Sequence, residues 1–250
     1  MDFHIDAIFL DVGNTLRILT KNEDHQATAR KEITKILGTD ENPEIFCQKL
    51  DERYKIYRKW AFENLKEASE AELWTRWLAP EFSHECLQKN GVELTYQYRQ
   101  SMGLRVVVDN GKEVVYELHK RGYTLGLISN VITSQEIPDW LEADGLSKYF
   151  SSVVLSSVIG IRKPDPEIYL EAARRAGVDP ENCVYVGDNL KRDITGTREA
   201  GFGMVIIMLD PGEEVPQETT PENRPDCVIH QFNELSMPKS IMCSNYILPI

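Results

Sequence analysis

Two textures of hydrophobic and polar positions alternate along the chain. Short apolar runs rich in β-branched residues occur near residues 5–10, 123–128, 153–155, 183–186, 203–209 and 227–229. They lack polar alternation, which is the pattern of strands buried on both faces. Between them, apolar positions recur at helical spacing. In "GKEVVYELHKRG", Val114, Val115 and Leu118 share one face. "DPEIYLEAARRAG" carries its own boundary signals, with Asp165 as N-cap, Pro166 in the first turn and Gly177 past the end. "LKRDITGTREAGF" leads from one strand to the next and ends at Gly201. This alternation predicts an α/β fold, a doubly wound parallel sheet of Rossmann-like type with helices on both faces.

From about residue 17 to about residue 105 the rhythm breaks. No strand pattern stands out there. Phe46, Leu50, Tyr54, Tyr57 and Trp60 recur at helical spacing among charged residues. A helical block of roughly ninety residues between two strands is too long for a crossover helix. It predicts an inserted α-helical cap domain over residues 17–106, with residues 1–16 and 107–250 forming the α/β core. The hinges are expected near Leu16–Thr20 and Met102–Val108, and the aromatic stripe is expected to be core. "DPGEEVPQETTPENRPD", after Leu209, reads as an exposed loop before a last short strand.

Charge and length narrow the classes. The net charge is −12 over 250 residues, with no long basic run, which argues against a nucleic-acid partner. No apolar run approaches the ~18–20 residues of a membrane span. The start "MDFHIDAIFLD" lacks the basic region of a signal peptide. A cytoplasmic monomer or homodimer without membrane contact is expected. The cysteine count, five, is odd, and no pair has CxxC spacing, so neither a disulfide framework nor a zinc site is expected. Cys183 and Cys227 read as core filler.

In open parallel sheets, ligands bind beyond the carboxyl ends of the strands. The first strand ends in Asp11, followed by Gly13. "YTLGLISN" ends in Ser129 and Asn130. The third main strand leads into "GIRKPDP" with Lys163, and "CVYVGDNLKRD" supplies Asp188 and then Asp193. A lone Asp after a strand is ordinarily a cap; four such ends on one edge are not. Asp11 and Asp188, with no histidine, make an oxygen-rich set suited to Mg²⁺, and the Gly13 carbonyl could complete it. An ionised carboxylate beside a metal-held electrophile can act as a nucleophile. Ser129 and Lys163 can offer hydrogen bonds and charge to a phosphoryl group.

"DVGNT", "LISN", "RKPDP" and "GDN…D" follow the order and approximate spacing of the four motifs of haloacid dehalogenase-like hydrolases. The chain resembles that superfamily over residues 1–16 and about 107–235, and the helical insert sits where one subclass carries its cap. The resemblance implies Mg²⁺-dependent hydrolysis of a small phosphorylated substrate through an aspartyl-phosphate. Asp11 would be the nucleophile. Ser129, Asn130 and Lys163 would bind phosphate, and Lys163 would also neutralise charge. Asp11, Gly13, Asp188 and Asp193 would form the metal site. One position departs: phosphatases of the superfamily usually carry a second Asp two residues after the nucleophile, as general acid/base, and here it is Gly13. A phosphatase with a weakened acid/base step is one reading. A phosphonatase- or dehalogenase-like hydrolase is another, and a ligand- or partner-binding protein with little turnover is the third.

Overall fold

A computed structural model describes residues 4–216, 220 and 223–236. Six strands form one parallel sheet in the order β5-β4-β1-β6-β7-β8. They are β1 (Ala7–Leu10), β4 (Thr124–Ser129), β5 (Phe150–Leu155), β6 (Cys183–Gly187), β7 (Met204–Met208) and β8 (Cys227–Ile229). Each lies within or beside one of the apolar runs named above. β1 sits at the centre, hydrogen-bonded to β4 on one side and β6 on the other. Alternate side chains of a strand point to opposite faces, so β1 feeds two cores. Ile8 and Leu10 pack with α5 (Gly111–Lys120) and α6 (Glu136–Ala143). Ala7 and Phe9 pack with α8 (Pro166–Ala176) and α9 (Leu190–Glu199). Asp165 caps α8 by accepting from the Glu167 N–H, and Gly177 ends it at φ 69°. Cys227 is buried in β8, as its apolar run suggests, but it is disulfide-bonded, contrary to the expectation from the odd cysteine count. Cys243 and the rest of the chain from 237 onward lie outside the described residues.

Between β1 and β4 the chain is mainly helical: α1 (Glu23–Leu37), α2 (Pro43–Asn64), the short α3 (Glu70–Glu72) running into a π-helical turn (Leu73–Leu78), and α4 (His84–Ser101). Their inner faces build a third core around Phe46, Leu50, Tyr57, Trp74, Leu94 and Tyr98, so most of the aromatic stripe is core as expected. The expectation of no strand in this region is corrected. β2 (Arg17–Thr20) and β3 (Leu104–Val107) pair antiparallel, with Arg17 opposite Val107 and Thr20 opposite Leu104. The two expected hinges are thus hydrogen-bonded to each other as one ribbon. "RILT" and "LRVV" are only four residues long, and their partners lie over eighty positions apart, so nothing local marks them.

Candidate active site

Asp11 follows β1, where its N–H donates to the Val186 carbonyl oxygen of β6 at 2.8 Å. The chain then turns sharply: the N–H groups of Leu16 and Arg17 both donate to the Val12 carbonyl oxygen, and Asn14 adopts φ 55°. The turn holds the Asp11 carboxylate at the strand end, where Oδ1 accepts from the Val12 N–H at 2.7 Å. β6 ends in Gly187, and a Cβ there would collide with the Asp193 carboxylate. This is why the chain passes so closely before Asp188. Asn189 caps α9, which brings Asp193 back in its first turn. One oxygen from each of Asp11, Asp188 and Asp193 lies within 4.8 Å of the others.

Lys163 enters from the loop after α7 (Ser156–Ile159), the short helix that follows β5. Its side chain is fully buried, with Nζ 2.8 Å from Asp11 Oδ2 and 3.6 Å from Asp193 Oδ1. Nζ also donates to the Ile128 carbonyl oxygen at 3.1 Å and to the Tyr185 hydroxyl at 2.6 Å. The Asn130 amide uses both ends on the Lys163 backbone: Oδ1 accepts from the Lys163 N–H at 2.8 Å and Nδ2 donates to the Lys163 carbonyl oxygen at 3.0 Å. Asn130 therefore fixes the lysine loop. Asp11, Gly13, Ser129, Asn130 and Asp188 line one cleft of about 330 Å³. The structure brings together every residue that the sequence nominated, with Lys163 and Asp193 buried beneath.

Arg192 is in the cluster as well, and sequence reasoning missed it. Its Nη2 donates to Asp11 Oδ2 at 2.7 Å and to Asp188 Oδ1 at 2.9 Å, and its Nε donates to Asp193 Oδ1 at 2.8 Å. The carboxyls respond differently to these surroundings. Burial pushes the Asp11 carboxyl above its ordinary value, against the pull of Lys163 and Arg192. Burial also opposes ionisation of Asp193, but Lys163 and Arg192 outweigh it and hold that group below its ordinary value. Three converging carboxylates without nitrogen or sulfur ligands suit a hard divalent cation. Arg192 holds the same oxygens, so a metal ion and this guanidinium compete for them.

Residues 5–201 match the family of haloacid dehalogenase-like hydrolases. The chain belongs to that family. Among curated relatives, it is 36% identical over 126 residues to a glyceraldehyde 3-phosphate phosphatase of Methanopyrus kandleri, covering 50% of this chain and 51% of the relative. It is 34% identical over 125 residues to a phosphoserine phosphatase of Thermus thermophilus, covering 50% and 48% of the two chains. The chain thus spans about half the length of the curated relatives it matches. Among solved structures, a 2-haloacid dehalogenase from Pseudomonas syringae superposes with a TM-score of 0.66 at 23% identity, over 92% of this chain and 96% of that one. The magnesium-bound hydrolase YfnB from Bacillus subtilis gives 0.59 at 22%, over 93% and 97%. These two share the fold of this haloacid dehalogenase-like hydrolase. No helix among the described residues is long and apolar enough to cross a membrane.

Proposed function

We propose that this hydrolase is a Mg²⁺-dependent phosphatase of small phosphorylated metabolites that works through an aspartyl-phosphate on Asp11. The observation that carries the reading is the meeting of Asp11, Lys163, Asp188 and Asp193 beneath an open cleft. The curated relatives named as phosphatases support it. Asp11 attacks phosphorus through a carboxylate oxygen, a new O–P bond forms, and the ester oxygen leaves with the bonding pair. Water then cleaves the acyl phosphate and restores the carboxylate. Lys163 neutralises charge at the phosphoryl group, and Ser129 donates a hydrogen bond to it. Asn130 serves by holding the Lys163 backbone. Asp11, Asp188 and the Gly13 carbonyl would hold Mg²⁺, with Asp193 at or behind it. The ion would favour ionised Asp11 and offset the phosphate charge. For those oxygens to hold the ion, Arg192 would have to give up its contacts with Asp11 and Asp188.

In this reading, residues 17–106 form a cap over a core of residues 1–16 and 107–250. The separate helical core around Trp74 and Leu50 supports that division. One observation favours a second reading, a binding protein with little turnover. Lys163 and Arg192 both contact Asp11 Oδ2, which leaves the attacking group heavily paired. A screen of phosphate esters with and without Mg²⁺ separates the two. The phosphatase reading expects Mg²⁺-dependent phosphate release that falls by roughly 10³-fold or more in Asp11→Asn. Ester binding without release in the wild-type chain would establish the second reading.

A further inference from the structure

The cleft is far more basic than the molecule around it. Its walls carry six arginines against the carboxylates of Asp11 and Asp188, in a chain of net charge −12. Arg192 is engaged by the acidic cluster, but the others are under-neutralised. Arg99 and Arg105 share one counter-ion, with Arg99 Nε 3.0 Å from Glu136 Oε2 and Arg105 Nη1 3.2 Å from Glu136 Oε1. Arg17 donates to the Arg105 carbonyl oxygen and stacks 4.1 Å above the Trp140 ring, while its Nε is buried without a partner. Arg162 is 7% exposed and pairs with Glu67 through Nη1, yet its Nε is also buried without a partner. Arg58, on the exposed side of α2, makes no ion pair among the described residues. Arg58 and Arg162 both lie on the Phe62 ring, at 5.3 and 5.4 Å.

Desolvated cations that outnumber their counter-ions are costly unless an anion joins them. Burial lowers both Arg17 and Arg105 to about 10, and Arg99 depresses Arg105 further. Guanidinium groups suit planar, bidentate capture of carboxylate or phosphate oxygens. We propose that the ligand of this cleft is a phosphate monoester bearing a second anionic group, which Arg17, Arg58 and Arg162 hold. The inference rests on the phosphatase reading only for the placement of the first phosphate. The second anion is met by Arg17 from β2, by Arg58 from α2 and by Arg162 from the loop before Lys163, all of which line the same cleft as Ser129.

Equilibrium binding in the full Asp11→Asn chain with Mg²⁺ tests it without turnover. The probes are two pairs: 3-phosphoglycerate against glycerol 3-phosphate, and fructose 1,6-bisphosphate against fructose 6-phosphate. The member with the extra anion should bind about tenfold tighter or better in one pair, the gain of one charge-assisted contact. Which pair responds tells whether that anion is a carboxylate or a second phosphate. Arg58→Gln lies on an exposed helix face and should remove most of the preference, and Arg17→Lys should reduce it. Equal affinity within both pairs overturns the proposal, as does a preference that survives in the Arg58→Gln/Arg17→Lys double variant. Turnover is read separately in the wild-type chain. A clear binding preference with no ester hydrolysed sinks the phosphatase reading and leaves this one standing; hydrolysis without any preference does the reverse.

Discussion

At Gly13, two residues beyond Asp11, an added Cβ would meet no atom within 4 Å, and the backbone lies outside the left-handed region. Gly13→Asp is therefore sterically open. If Gly13 occupies the acid/base position, the wild type is slow on alkyl phosphates, whose alkoxide must be protonated as it leaves. Gly13→Asp should raise alkyl phosphate hydrolysis by up to about 10²-fold, the lower end of general acid catalysis, and aryl phosphate hydrolysis much less. A folded variant with an unchanged alkyl-to-aryl rate ratio would place the acid elsewhere. Arg192 gives a second residue-scale expectation. Because it binds the oxygens that would ligate Mg²⁺, Arg192→Ala should tighten Mg²⁺ binding by roughly tenfold, or about 1.4 kcal/mol. The same variant should melt lower in EDTA, since Lys163 would be left facing three carboxylates. Calorimetry and melting curves check both; weaker Mg²⁺ binding would mean that Arg192 orders the carboxylates instead. Asp11, Asp188 and Lys163 were legible in the sequence because each ends or follows an apolar run. Arg192 was not, because "LKRD" looks like any solvated first turn of a helix. Its capture by Asp11, 181 positions away, needs the pairing of β1 with β6.

At the scale of elements, one of the contacts between the helical segment and the α/β part runs through a short stretch just before Lys163. The Glu67 N–H donates to the Gly160 carbonyl oxygen at 3.0 Å, and the Arg162 N–H donates to that of Leu65 at 3.1 Å. The buried Glu67 carboxylate then accepts from Ser156 Oγ at 2.6 Å, from Arg162 Nη1 and from the Tyr57 hydroxyl. Removing one partner of a buried pair leaves the other uncompensated. Glu67→Ala should therefore cost about 3–5 kcal/mol in urea unfolding, while Glu67→Leu combined with Arg162→Met should recover much of it. An additive double-variant cycle would show that the two side chains act independently. None of this junction is visible in "LKEA" or "GIRK", because each fragment lacks its partner. The parallel strands were legible for the opposite reason: burial on both faces makes them apolar throughout. The β2–β3 ribbon has only mixed four-residue strands whose burial depends on long-range pairing.

The whole molecule divides by its cores. Neither sheet core contains a residue from 21–103, and Ile132 is the one buried member of the helical core drawn from outside it among the described residues. That the helical segment builds a core of its own was legible because helical and strand-like textures separate along the chain. What the sequence does not show is that the two crossings are zipped together. Thr20 and Leu104 are register partners, with Thr20 Oγ1 donating to the Leu104 carbonyl oxygen at 2.9 Å. Two antiparallel partners are the geometry that a two-residue hairpin turn spans. Replacing residues 21–103 by Asn-Gly should therefore close the ribbon without straining β1 or β4. The shortened chain should unfold cooperatively in urea with a smaller m-value, because less surface is exposed on unfolding. It should still bind Mg²⁺, since Asp11, Asp188 and Asp193 all remain. It should also lose most of any preference for doubly anionic esters, because Arg58 goes with the helices while Arg17 and Arg162 stay. Exposure of Arg162 on loss of Glu67 removes the cost of that buried charge, so the junction itself should not unfold the core. A product that is unfolded with and without Mg²⁺ would show that helices and sheet fold as one unit and that the helical segment is not a separable cap.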